Sequence, residues 1–416
     1  MTNLKQRWGW ISRRGLGAAN AALALAAVLG LGAVTTQSAQ AQTFTVLYNF
    51  KGPSGGDGWN PYAGLFLDTA GNLYGTTQQG GGVGTVFKVN TSGTENVLHK
   101  FIGEDGYYPY AGVIMDAKGN LYGTTAYGGG GIGCGNPGCG TVFELTKTGG
   151  RWTEALRHKF GGGNEDGAYP FGGLIQDAKG NLYGTTEEGG SPGYFGMVFK
   201  VSKFGKETAL HSFAGYPSDG GLPYLAGVIM DAKGNLYGDT MEGGGFNQGV
   251  VYKLGKSGTL TVLYSFRGGA DGSLAMGTPV MDEQRNLYGT TYRGGSSGYG
   301  IVWKVSRKGK ETVLHSFAGG TTDGASPQAG VIRDAEGNLY GVTTAGGSGT
   351  ACGKSGCGTV YKLSKNGTLT LLHSFAGSDG QYPVGSLIMD ANGNLYGTAA
   401  YGGSSGYYGT VWKLTP

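Results

Sequence analysis

"GNLYGTT" occupies residues 71–77 and recurs letter for letter at 119–125 and 180–186. Near-copies read "GNLYGDT" (234–240), "RNLYGTT" (285–291), "GNLYGVT" (337–343) and "GNLYGTA" (393–399). A catalytic centre needs its residues once. A heptad spelled seven times reads as architecture, so function is to be sought where the copies differ.

The heptad lies inside a longer unit, "YPYAGVIMDAKGNLYGTTAYGGGGIGCGNPGCGTVFELTKTGGRWTEALRHKF" at 108–160. Four short β-like runs stand out: "AGVIMD", "NLYGTT", "GTVFEL" and "TEALRHKF", separated by Gly, Asn, Asp and Lys clusters. In "DAKGN", Asp can bond the backbone two residues on and Gly can take positive φ, which makes a tight turn. No stretch carries helical periodicity, so the expectation is an all-β chain.

The period sets the architecture. From Asn72 to Asn394 the copies lie about 54 residues apart on average, and four-stranded units of this size are the mark of β-propeller blades. "TFTVLYNF" (43–50) reads as a fourth strand with no first three before it, and "GTVWKL" (409–414) as a third strand with no fourth after it. Joining them completes a seventh blade and leaves no open sheet edge. The sequence therefore predicts a seven-bladed β-propeller over 42–416, four strands per blade, closed by pairing the N-terminal strand with the last blade.

These units resemble the GloVer tandem repeat of exported bacterial proteins, whose pattern is close to "DAxGNLYGTTxxGGxxGxGTVFKL"; the likeness covers essentially the whole chain after residue 41. "PYAGVIMDAKGNLYG" (109–123) is also similar to the first two strands of NHL-type propellers. The resemblance implies an exported repeat protein, often with a C-terminal attachment signal that has no counterpart here. It implies no activity.

Residues 1–41 are of another kind. Lys5, Arg7, Arg13 and Arg14 precede an apolar run, and Ala39-Gln40-Ala41 offers a small-x-small cleavage pattern, so a secretory signal peptide is expected. "SRRGL" (12–16) resembles a twin-arginine signal. The expected address is secreted or periplasmic, with no membrane span after cleavage. The net charge is +4. Once the signal's basic residues are removed the chain is near neutral, without a Lys/Arg block to neutralise phosphates, so nucleic acid is not an expected partner.

The five histidines, His99, His158, His211, His315 and His373, all stand two residues before the Phe that ends a fourth strand, where Tyr48 and Tyr264 stand otherwise. A slot that accepts Tyr is for packing or hydrogen bonding, which leaves no His for a triad or proton relay. Asp57, Asp105, Asp166, Asp219, Asp271, Asp323 and Asp379 each precede Gly in the loop between blades. They read as turn residues rather than as a calcium ring. Cys134 and Cys139, and Cys352 and Cys357, lie in the second-to-third-strand loops of blades 2 and 6. Two local disulfides are expected there, with no zinc, no other metal and no cofactor.

The copies differ most just after the heptad. The pairs read Gln78-Gln79, Ala126-Tyr127, Glu187-Glu188, Met241-Glu242, Tyr292-Arg293, Thr344-Ala345 and Ala400-Tyr401. Aromatic platforms beside acids and amides suit sugars, whose C–H faces stack while their hydroxyls hydrogen-bond. Gln79, Tyr127, Glu188, Glu242, Arg293 and Tyr401 are the expected ligand-binding face of a non-enzymatic module for extracellular glycan or protein, the alternative for this variability being neutral drift in exposed loops. The rival expectation is a carbohydrate-active lyase or hydrolase using Glu187, Glu188, Asp239 and Glu242.

Overall fold

The computed structural model describes residues 42–415; the expected signal, 1–41, lies outside them. Seven four-stranded antiparallel sheets form a β-propeller ring with almost no helix. In blade 2 the strands are Ile114–Met115, Leu121–Thr125, Thr141–Thr148 and Arg151–Lys159, paired in that order from the axis outward. The ring closes as expected: Thr43–Asn49 pairs antiparallel with Thr410–Thr415, from Thr43 opposite Thr415 to Asn49 opposite Thr410.

First strands are shorter than "AGVIMD" suggests, two residues in every blade. The residues just before them crowd the axis instead. A Cβ on Gly112 would strike the carbonyl of Gly64 in blade 1, and one on Gly227 would lie 2.9 Å from that of Gly173. Neighbouring inner segments thus pack backbone against backbone.

Each letter of the heptad has a task. Asp68 Oδ1 accepts the N–H groups of Ala70 and Asn72, and its Oδ2 accepts the Asn72 amide (2.8 Å) and the Tyr74 hydroxyl (3.1 Å). The Asp–Asn–Tyr part of this network recurs in all seven blades. The opening Gly71 has φ +84°, and Arg285 takes the same left-handed conformation (φ 62°) in blade 5. Beneath the second Gly lies the third-strand aromatic: a Cβ on Gly75 would stand 2.6 Å from the Phe87 ring. Thr76 Oγ1 donates to the Ala111 carbonyl of the next blade at 2.8 Å, and Thr77 Oγ1 donates to the Gln79 carbonyl at 2.9 Å.

Blades meet through aromatic seams. The Phe ending each fourth strand packs edge-on against the third-strand aromatic of the following blade. Examples are Phe101 on Phe143 (5.1 Å), Phe213 on Tyr252 (5.2 Å) and Phe375 on Trp412 (5.7 Å). The two disulfides, Cys134–Cys139 and Cys352–Cys357, staple their loops. No helix among the described residues is long and apolar enough to cross a membrane.

Candidate functional site

On one face of the ring, the Asp-Gly loop that leads into a blade folds onto the residues leaving that blade's second strand. Gly58–Trp59 pairs with Gln79–Gly80, Gly167–Ala168 with Glu188–Gly189, and Gly220–Gly221 with Glu242–Gly243. Tyr107 bridges to Tyr127, Ser273 pairs with Arg293, and Gln381 bridges to Tyr401. The six expected ligand-face residues therefore occupy one equivalent slot around this rim. Glu188 and Arg293 are exposed; Gln79, Tyr127, Glu242 and Tyr401 are half-buried.

Half-burial has causes. Gln79 Oε1 accepts the Trp59 indole N–H at 2.7 Å. Tyr127 packs on Tyr169 (5.1 Å) and Phe171 (6.0 Å) of the next blade. The hydroxyls of Tyr401 and Tyr62 lie 2.6 Å apart across the closure seam.

Inside the rim is a second tier, at the residue after the loop Pro, whose place Ala275 takes in blade 5. It reads Tyr62, Tyr110, Phe171 and Tyr224 in blades 1–4, then Met276, Gln328 and Val384 in blades 5–7. Tyr62, Tyr110 and Phe171 meet edge against face, with centroids 5.6 and 4.8 Å apart, and Tyr224 tilts against Phe171 at 5.0 Å. Tyr62, Tyr110 and Phe171 line a cavity of about 300 Å³ on the axis, to which inner segments of all seven blades contribute, blade 4 through Leu225. Gln328 adds an amide to the wall, its Nε2 donating to the Tyr382 hydroxyl at 2.9 Å, and behind the wall Gln78 Nε2 donates to the Tyr110 hydroxyl. Burial pushes the Tyr224 phenol up to about 12 and raises those of Tyr62 and Tyr110 further, so all three remain neutral hydroxyl groups near pH 7.

The sequence marks Tyr62 and Tyr110 as aromatics of the Asp-Gly loops, but not their continuation through Phe171 and Tyr224 into one arc. Its signal was present as "PY" or "PF" in blades 1–4 and its loss in blades 5–7, but the motif sits in the first-strand segment and looks like packing.

The carboxylates of the rival expectation separate into two settings. Burial pushes the Glu187 carboxyl up to about 7, and the charges of Glu188 and Glu242 act in the same direction. Glu187 in turn bears on the phenols of Tyr127, Tyr169 and Tyr224, which places it beside the aromatic arc. Asp239 is elsewhere. It is 1% exposed, with both carboxyl oxygens buried and unpartnered, and burial holds it well above the usual carboxylate range. It stands where Thr76, Thr185 and Thr290 donate to the carbonyl of the next blade. Among the described residues, no three or more His, Cys, Asp or Glu side chains converge on a point that could hold a metal ion.

Comparison with known proteins bears on this architecture. Among solved structures, the fold is similar to the extracellular domain of a hybrid two-component system of B. thetaiotaomicron. The TM-score is 0.55 at 12% identity, over 89% of this chain and 39% of that one. It is also similar to puromycin hydrolase, with TM-score 0.51 and 12% identity over 82% of this chain and 50% of that one. A gluconolactonase of Xanthomonas campestris gives TM-score 0.43 and 14% identity over 90% of this chain and 89% of that one. The chain thus spans half or less of the first two structures, and at such identities the likeness reaches the fold alone. No curated protein matches the sequence. The Gloeobacter/Verrucomicrobia repeat matches residues 26–228 and 224–416, and the chain belongs to that family.

Proposed function

We propose that this protein is an exported, non-enzymatic binding module that takes a neutral carbohydrate at the mouth of its central channel. The observation that carries the reading is the arc Tyr62–Tyr110–Phe171–Tyr224, broken in blades 5–7. An arc confined to four blades gives the ring one aromatic side. Sugar rings stack their C–H faces on such a wall, while the neutral phenols, the Gln328 amide and the Glu187 carboxyl exchange hydrogen bonds with hydroxyl groups. A cavity of about 300 Å³ matches the lower end of small-ligand sites. The two disulfides suit an oxidising compartment.

The test is a glycan array followed by calorimetry on the protein starting at residue 42. Tyr110→Ala and Phe171→Ala should each weaken the best ligand at least tenfold. Carbohydrate binding that ignores both substitutions, or no carbohydrate binding at all, would sink the reading.

One observation favours the hydrolytic alternative: a carboxyl titrating near 7 beside two further acids, Glu188 and Glu242, is the raw material of general acid catalysis on a glycosidic bond. Glu187→Gln separates the two. A binding module keeps its ligand unchanged before and after the substitution, whereas a hydrolase cleaves it before and not after.

A further inference from the structure

The opposite face, formed by the turns between first and second strands and between third and fourth strands, carries a different chemistry. Leu73 lies opposite Val89, so both kinds of turn emerge together, away from the Asp-Gly loops. On this face the acids of blades 2 and 3 are held by hydrogen bonds and an ion pair, whereas Glu283 and Glu336 stand exposed in the turns of blades 5 and 6. Asp116 and Asp177 each accept backbone N–H groups, an Asn amide and a Tyr hydroxyl. Those bonds hold both carboxyls below their ordinary range, against a burial that alone would raise them. Glu144 is taken by Arg157 at 2.6 Å and by the Tyr122 hydroxyl.

The lysines are not consumed. Among the described residues, only Arg157 and Arg285 among the lysines and arginines lie within ion-pairing distance of a carboxylate. A chain of near-zero net charge after residue 41 therefore presents free ammonium groups here. Two adjoining grooves collect them. The groove between blades 2 and 3, of about 560 Å³, is lined by Lys118, Lys179 and Lys203 together with the hydrogen-bonded Asp116 and Asp177 and the Glu144–Arg157 pair. The groove between blades 3 and 4, of about 330 Å³, is lined by Lys179, Lys200 and Lys256. Lys179 belongs to both, so the cations form one track across blade 3. Lys200 lies over the Tyr183 ring at 5.9 Å, which holds that ammonium in place and puts an aromatic in the wall. Blades 5 and 6 repeat the arrangement, with Lys304, Arg333 and Lys365 in a groove of about 420 Å³.

We propose that this track binds an anionic polysaccharide, its carboxylates or sulfates meeting the lysines and its sugar rings seated in the grooves. Flexible lysine ammonium groups act as point charges and need no planar partner, and concave low-dielectric walls focus their field. A polymer rather than a single anion fits cations that continue from one seam to the next. A membrane surface fits less well: among the described residues Phe204, between Lys203 and Lys206, is the single large apolar side chain exposed on these turns (84%), and stable membrane attachment needs more apolar insertion than one ring. This site is separate from the channel mouth, so the protein would bridge a neutral sugar on one face and an acidic polymer on the other.

The experiment measures binding of the chain starting at residue 42 to polygalacturonate and to heparin at low ionic strength. Phosphatidylglycerol vesicles and duplex DNA serve as competing probes. Binding to at least one of the two polysaccharides is expected, weakening as salt rises and falling at least tenfold in K179Q/K203Q. The double variant should melt with the parent, since both positions are exposed, and Tyr110→Ala should leave this binding unchanged even if it abolishes binding at the mouth. The proposal is overturned if neither polysaccharide binds, if K179Q/K203Q binds as the parent does, or if vesicles or DNA are bound more tightly than both polysaccharides.

Discussion

His99 Nε2 stands 2.9 Å from Asp105 Oδ2, joining the outer strand of blade 1 to the loop that opens blade 2. The other oxygen of Asp105 accepts the Ile102 N–H at 2.8 Å. Four further histidines meet their loop aspartates in the same way, and Tyr48 and Tyr264 donate to Asp57 (2.6 Å) and Asp271 (2.5 Å). A bulge makes the reach possible: Val86 pairs with His99 and Phe87 with Val97, which leaves Leu98 unpaired. Each seam thus carries a His–Asp or Tyr–Asp latch at its outer edge.

His99→Tyr should therefore be tolerated, whereas His99→Ala should lower stability by about 1.5–3 kcal/mol, the range for hydrogen bonds to charged groups. Equal loss in both variants, measured by chemical denaturation, would show that the ring packing and not the bond is what matters. The latch also sets acid sensitivity. Burial alone would raise Asp105, Asp166, Asp323 and Asp379, but the bonds from His and backbone N–H hold them below the usual range. A depressed carboxyl stabilises the fold above its unfolded value near 4, and that contribution disappears as pH falls through the folded value. Thermal melts should show a steep loss of stability below about pH 4.

Asp239 works in the reverse direction. Its buried, unpartnered carboxyl stays protonated well above its unfolded value, so between the two values the folded state holds one more proton than the unfolded state. Stability from this group falls as pH rises above about 4. Asp239→Thr restores the residue that bonds across the seam in other blades and should add about 1–3 kcal/mol at pH 7. It should also flatten the decline in stability between about pH 4 and 8. A variant melting at or below the parent temperature at pH 7 would count against this account.

Closure of the ring gives a third outcome. Starting the chain at Gly52 removes the strand Thr43–Asn49, and with it Phe50, which packs edge-on against Phe87 at 5.2 Å. Loss of that ring alone should cost about 3–5 kcal/mol, and the uncovered edge of Thr410–Thr415 should promote association. Light scattering and a melting curve decide: a monomer with the parent's melting temperature would mean that the closing strand contributes little.

The blade was legible because its signals are local and repeated. "DAKGN" is a turn by its own residues, and seven copies at one spacing leave few architectures open. The latch was only half legible. By sequence His99 is a packing or hydrogen-bonding residue and Asp105 a turn residue, yet nothing there marks the bulge that aims one at the other. Tyr110 and Phe171 were harder still, because a propeller axis is made by residues some 60 positions apart whose shared position exists only after closure. Net charge is silent on where charges sit. It weighs Asp177 and Lys179 equally, whereas the fold surrounds the first with hydrogen-bond donors and leaves the second in the wall of two grooves.

The last expected outcome concerns Glu187 at the channel mouth. Burial first, then the charges of Glu188 and Glu242, raise its carboxyl to about 7. Below that pH it is a neutral group that can both donate and accept; above it, a carboxylate that only accepts. A neutral sugar seated on the aromatic arc would remove more water from it, which penalises the charged form further. Affinity should therefore be highest below about pH 6 and fall as pH rises through 7, because binding then requires proton uptake. Glu187→Gln mimics the neutral state and should bind at pH 8 as tightly as the parent does at pH 6, with little pH dependence between. Calorimetry in buffers of different ionisation enthalpy gives the decisive readout. The parent should take up protons on binding near pH 7 and the variant should not; uptake that persists in Glu187→Gln would place the titrating group elsewhere.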